Sequence, residues 1–167
     1  MNNINFKSGL SPIINKNSQI LILGSLPSDK SIEKLEYYGN PTNNFWTILS
    51  YIFFNTKYNF VNYNEKINFI YNNKLALWDV YSSANRLGSL DSNIKNAEFN
   101  DIKLLLKNYP NIKKIITNGK KSEDAFLKYI KQFNIAIPHI SVPSSSAANT
   151  LYSLENKINI WTNAIKR

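Results

Sequence analysis

The chain has 167 residues, 43% of them hydrophobic, with no cysteine and a formal charge of +9 from 20 Lys plus Arg against 11 Asp plus Glu. That length suits one domain with its own core, and the lack of cysteine excludes a disulfide framework, a cysteine-ligated zinc site, an iron–sulfur cluster and a cysteine nucleophile. No apolar run approaches the ~20 residues of a membrane span and the N-terminus carries no signal pattern, so a cytoplasmic monomer is expected. The cationic surplus favours a polyanionic partner, nucleic acid foremost, although a composition this rich in Asn, Ile and Lys also reflects codon bias.

Residues 1–18 are polar and irregular around Pro12 and read as a short arm laid on the domain. Ile20-Leu21-Ile22-Leu23, stopped at Gly24, reads as a buried parallel strand. Ser28 or Asp29 can cap a helix over 31–37 that ends at Gly39. A longer helix is predicted over 43–53, with Trp46, Leu49, Ile52 and Phe53 at core spacing, then a loop over 54–64 and a helix over 65–72. Residues 75–78 form the second strand and open into a polar stretch, 79–92, too long for mere connection. A helix over 100–108 stops before Pro110, and 112–117 form the third strand. The turn 118–121 leads into a helix over 122–131 that buries Ala125, Phe126 and Tyr129. The fourth strand, 135–142, contains Pro138 and so belongs at an edge; a loop over 143–149 and a closing helix over 154–165 follow. Strands separated by helices predict a parallel sheet covered on both faces. The polar loops after the four strands would gather along one sheet edge, where α/β folds bind ligands.

The loops contain neither a G-x-G-x-x-G nor a G-x-x-x-x-G-K-[ST] pattern, so no dinucleotide or P-loop site is indicated. G-S-L-P-S at 24–28 is not the nucleophile elbow G-x-S-x-G. The single histidine, His139, lies inside the fourth strand and reads as structural, and no cluster of His or carboxylates suggests a metal. No cofactor is expected. Amides, hydroxyls, backbone N–H groups, aromatic rings and Asp79 remain. That set suits cleavage of an N-glycosidic bond, in which the sugar gains oxocarbenium character while the base leaves with growing negative charge. Such a site must enclose an extruded nucleotide, hold one water and aim donors at the base. A non-catalytic basic nucleic-acid-binding module is the other reading the composition allows.

G-S-L-P-S (24–28), Y-Y-G-N-P-T-N-N-F-W (37–46), L-W-D-V (77–80), R-L-G-S-L-D-S (86–92), N-G-K-K (118–121) and V-P-S-S-S-A-A-N (142–149) occur in the order seen in the uracil-DNA glycosylase superfamily. The stretch resembles above all its hypoxanthine-DNA glycosylase branch, with the mismatch-specific glycosylases next. The resemblance implies a three-layer α/β/α sandwich on a four-stranded parallel sheet, and hydrolytic removal of a deaminated base from DNA by a monofunctional enzyme. Hypoxanthine is the base implied first; a uracil- or mismatch-specific enzyme of the same fold is the alternative. Gly24, Ser25, Leu26, Pro27 and Ser28 are similar to the first active-site motif, with Leu26 where other branches carry a water-handling Asp or Asn. The resemblance transfers that role to Asn43, assigns base stacking to Phe45, and turns Asp79 or the edge of Trp78 toward the base. It also implies DNA contacts from Lys120 and Lys121 and from a second motif, Pro143, Ser144, Ser145, Ser146 and Ala147, acting as a wedge into the minor groove.

Overall fold

A computed structural model describes residues 5–167. Its centre is a parallel four-stranded sheet built from β2 (Ile20–Gly24), β3 (Leu75–Asp79), β6 (Lys114–Asn118) and β7 (His139–Val142) in the order β3-β2-β6-β7. The chain runs from β2 to one neighbour, β3, and later returns to the other, β6. That reversal leaves the carboxyl ends of the strands facing a crevice.

The alternation of side chains along each strand divides the core in two. Ile22, Leu75, Leu77, Ile116 and Val142 face α2 (Phe45–Phe54), α3 (Tyr63–Asn72) and α6 (Leu154–Lys166). Leu21, Leu23, Ala76 and Ile115 face the opposite side, where α4 (Ile102–Asn108) contributes Ile102 and Leu105 and α5 (Lys120–Phe133) contributes Ala125, Phe126 and Tyr129. These strand residues are buried, the Leu, Ile and Val side chains each stabilising the fold by roughly 1.5–3 kcal/mol relative to exposure. Helices thus cover both faces, giving the expected three-layer α/β/α sandwich.

The chain departs from expectation in several places. A second, antiparallel sheet is formed by β1 (Phe6–Ser8), β4 (Tyr81–Asn85) and β5 (Lys95–Phe99), in the order β1-β4-β5. The N-terminal arm is therefore partly a strand; its first four residues lie outside the described ones. The polar stretch 79–92 likewise contains β4. Neither segment shows the apolar alternation of a strand, because the pairing rests on main-chain hydrogen bonds across an irregular register, and in β4 only Tyr81 and Ala84 are buried.

The first helix, α1 (Asp29–Lys34), starts earlier than expected and ends at Leu35 in the left-handed region (φ 55°), not at Gly39. Ser28 caps it, accepting a hydrogen bond from Ser31 N. The strand expected over 135–142 begins only at His139, after Pro138, whose missing N–H cannot join the ladder. Its place at the sheet edge is as expected.

Candidate active site

A cavity of about 360 Å³ opens at the carboxyl ends of the parallel strands. Its wall comes from four segments: Gly24–Ser28 after β2, Asp79 at the end of β3 with the 89–92 loop, Asn118 at the end of β6, and Ser144–Ser146 after β7. Tyr37, Tyr38, Asn40 and Asn43, from the link between α1 and α2, close the side. Pairing in the sheet sets Gly24 beside Asp79 and Asn118 beside Val142, so residues far apart in sequence share one floor. No lysine or arginine lines the cavity, whereas two aspartates, Asp79 and Asp91, do. The cavity therefore suits an uncharged ring better than a phosphate.

One wall is a continuous hydrogen-bond chain. Asn118 Nδ2 donates to Tyr38 Oη (3.1 Å) and to Ser145 Oγ (2.9 Å), and Asn118 Oδ1 accepts from Ser145 N (2.9 Å). Ser145 Oγ in turn donates to Asn43 Oδ1 (2.9 Å), which also accepts from Phe45 N (2.9 Å). Two donors thus occupy both lone pairs of the Asn43 carbonyl and fix the plane of its amide, while Nδ2 has no protein partner among the described residues. Asn43 is not in the first turn of α2, as expected, but in the loop before it, where its side chain closes an Asx turn.

The opposite wall is acidic. Asp79 is only 5% exposed and its Oδ2 has no hydrogen-bond partner. Burial raises its carboxyl to about 7, helped by the nearby Asp91 and opposed by Arg86. Asp91 is also raised, mainly by burial, although it accepts a 2.6 Å bond from Ser25 Oγ. Gly24 is required beside this pair, since a Cβ there would run into Asp79 Oδ1. The only buried guanidinium among the described residues, Arg86, is spent on the backbone: it donates to the carbonyls of Leu26 (3.2 Å), Pro27 and Gly88 (3.0 Å), and so braces the Gly24–Ser28 loop.

Of the residues expected at the site, Asn43, Gly24, Ser25, Leu26, Pro27, Ser28, Asp79, Ser144, Ser145 and Ser146 meet at this cavity. Phe45 does not. It is wholly buried in the core, with Tyr38 stacked flat upon it at 3.7 Å between ring centroids and 13° between planes. Tyr38, with Tyr37, is a ring that lines the cavity, and it is held at φ 53°, a left-handed backbone uncommon for an aromatic residue.

Trp78 is also absent from the lining. Its position in β3 directs the indole away from the side chain of Asp79, and Nε1 donates to Leu10 O (3.2 Å). Lys120 is exposed and pairs with Glu123 and Asp124 on its own helix, each at 3.1 Å. Lys121, one residue on, acts electrostatically on Asp91. Pro143 and Ala147 flank the cavity without lining it. His139 is exposed, edge-on to Phe126, and takes no part.

The serine loop is more firmly held than a wedge of small residues suggests. Buried Lys157 donates to Ser146 O (3.1 Å) and Asn149 O (2.9 Å), and Trp161 Nε1 donates to Pro143 O (2.9 Å). Just past the loop, Leu151, Tyr152 and Leu154 are exposed, Leu151 most of all at 90%. Arg86, Asp91 and Lys157 thus join the site unforeseen. Arg86 and Asp91 stand in a quoted motif, but only the fold reveals that one braces the first loop and the other neighbours Asp79. Among the described residues no three His, Cys, Asp or Glu gather as a metal site, and no helix is long and apolar enough to cross a membrane.

Known proteins of the same build carry matching names. The family model described as the Uracil DNA glycosylase superfamily matches residues 11–164. A hypoxanthine DNA glycosylase of Methanosarcina barkeri (strain Fusaro / DSM 804) is 38% identical over 161 residues, covering 96% of this chain and 99% of the relative. A second protein of that name, from Methanosarcina acetivorans, is 36% identical over 155 residues, 93% of this chain and 95% of its own. The solution NMR structure of a candidate uracil DNA glycosylase from Methanosarcina acetivorans superposes with a TM-score of 0.82 at 34% identity, covering 96% and 97% of the two chains. With the sheet order, the strand-end cavity and these matches in hand, the chain belongs to the uracil DNA glycosylase superfamily.

Proposed function

We propose that this protein is a monofunctional DNA glycosylase that excises hypoxanthine from deoxyinosine in base excision repair, acting as a monomer on DNA in the cytoplasm. The observation that carries the reading is the meeting of Asn43, Asp79 and Ser145 around one cavity that no cation lines. An uncharged base extruded from the stack enters such a space, while its phosphates stay outside with Lys120, Lys121 and the other surface cations. The base stacks on Tyr38, which Phe45 backs from the core. Backbone N–H groups of Ser25, Leu26 and Ser28, in the loop whose carbonyls Arg86 braces, face its polar edge.

Asn43 positions the water. Its carbonyl is already held by Ser145 and Phe45 N, so Nδ2 is the group that grips the water oxygen, leaving the second lone pair for the anomeric carbon. The exposed Leu151, beside the serine loop, fills the gap left in the duplex. A lyase step needs a lysine amine at the sugar, and the lining contains none; buried Lys157 is committed to two carbonyls.

The test is base release from oligonucleotides bearing hypoxanthine, uracil or xanthine, read as alkali-labile sites, with wild type and Asn43→Ala side by side. Hypoxanthine is released fastest, and the variant stays folded, with a cooperative melt, while losing on the order of a hundredfold or more in rate. Normal turnover by Asn43→Ala removes that residue from the mechanism. Release of uracil alone makes the protein a uracil-type enzyme, and salt-sensitive binding without release of any base makes it a binding module.

A further inference from the structure

We propose that Asp79 enters the reaction as a neutral carboxylic acid and gives its proton to the departing purine. This rests on the hypoxanthine reading above and names the group that neutralises the leaving base. Asp79 lines the cavity from the end of β3, is only 5% exposed, and keeps one oxygen without any partner. An unpartnered buried carboxylate oxygen is costly, so the neutral carboxylic acid is the favoured form there, and the little of the side chain that is accessible lies at the cavity.

The surroundings hold it in that form. Burial comes first, and Asp91, on the neighbouring 3-10 turn, opposes a second negative charge. Tyr37 and Tyr38, from the link before α2, present phenols that burial and Asp79 itself keep protonated. Arg86 is the one cation acting on the carboxyl, and its N–H groups are committed to the carbonyls of Leu26, Pro27 and Gly88. Lys121 acts on Asp91 and not on Asp79. The carboxyl, raised to about 7, is therefore half-protonated near neutrality, the poise suited to a general acid.

Hypoxanthine offers adjacent acceptors, O6 and N7, as guanine does on the same edge, where adenine offers a donor beside N7. A neutral acid aimed at that edge binds it and also assists departure. The C1′–N9 bond breaks with its electron pair going to the purine, and the Asp79 proton moves to N7. The oxygen of the water held by Asn43 bonds to C1′, its surplus proton leaves to solvent, and Asp79 regains a proton from solvent. The products are neutral hypoxanthine and an abasic sugar. An ionised Asp79 would instead place a negative charge beside a base that is becoming negative.

The experiment is single-turnover hypoxanthine release by wild type, Asp79→Asn, Asp79→Ala and Asp91→Asn, from well below to well above neutrality. Wild type falls about tenfold per pH unit once pH passes about 7. Asp79→Asn, of the same shape with a fixed N–H donor, retains a reduced but pH-independent rate, and Asp79→Ala loses both rate and slope. Asp91→Asn removes the neighbouring charge and moves the falling limb toward acid. A wild-type rate that rises through neutrality, with Asp79→Asn inactive though folded by thermal melt, overturns the proposal and makes the group a base. A profile identical in wild type and Asp79→Asn overturns it too. Absence of hypoxanthine release by wild type at every pH defeats the parent reading instead, so the two failures are distinguishable.

Discussion

Asp79 shows how a single buried side chain can make stability, as well as the proposed base release, fall as pH rises. Below the ordinary carboxylate range, native and unfolded chains both hold the proton. Between 3.8 and about 7 the unfolded chain ionises while the native one stays protonated, so stability falls as pH rises through this window. Above it, the native state carries a buried charge with one oxygen unpartnered. Asp79→Asn should therefore be more stable than wild type at alkaline pH, by on the order of 1–4 kcal/mol, with the difference shrinking toward acid. Thermal melts across that range check this; a difference that stays constant with pH would show that ionisation is not its cause. Tyr38 is a second such residue, keeping a left-handed backbone so that its ring can lie on Phe45 and its hydroxyl reach Asn118. Local strain of this kind collects where a site must be held in place.

At the level of elements, the cavity is an assembly of loops made rigid by buried cations. Arg86 at the end of β4 ties down the loop after β2, and Lys157 on α6 ties down the loop after β7. Burial lowers both pKa values from their ordinary ranges, yet carbonyl acceptors hold each head group. The planar fork of Arg86 reaches three carbonyls that a lysine's single ammonium cannot span. Arg86→Lys should therefore cost about 3 kcal/mol, seen as a lower urea midpoint, and should weaken substrate use by loosening Gly24–Ser28. A loss within about 1 kcal/mol would show that the loop is held by other means. The small sheet gives this brace its purpose, since β4, paired to β1 and β5, delivers Arg86 and the 86–92 loop to the cavity wall.

For the whole molecule, charge is divided between outside and inside. The surface carries most of a +9 balance, while the cavity holds two aspartates and no cation. In the proposed reaction this separates DNA attraction from base chemistry, with phosphates on the exterior and the flipped base alone at the carboxyls. Binding to a deoxyinosine duplex should weaken steeply with salt, with a log–log slope of about −0.9 for each phosphate engaged. Charge reversal at Lys120 and Lys121 should make that slope shallower by about one for every phosphate the protein no longer neutralises. Fluorescence anisotropy at several salt concentrations measures it, and an unchanged slope would remove these two lysines from the DNA surface.

The four apolar strands, the helices between them and the ordering of polar loops at one edge were legible in the sequence. Burial imposes apolar runs and periodic faces, and these are visible in Ile20–Leu23 or in Ala125, Phe126 and Tyr129. Asn43, Asp79 and Ser145 were legible too, as polar residues in loops that share the cavity. The small sheet was not legible, because β1, β4 and β5 are held mostly by main-chain pairing that any polar sequence can supply. Nor could residue type say which of two neighbouring rings would face the ligand: Phe45 went into the core and Tyr38 covered it. Asp79 and Asp91 are well separated along the chain, and only the tertiary fold made them neighbours in a space poor enough in water to shift their protons. The sequence by itself determined which groups were available, whereas their electrostatic state was decided by burial and proximity, which no local pattern encodes.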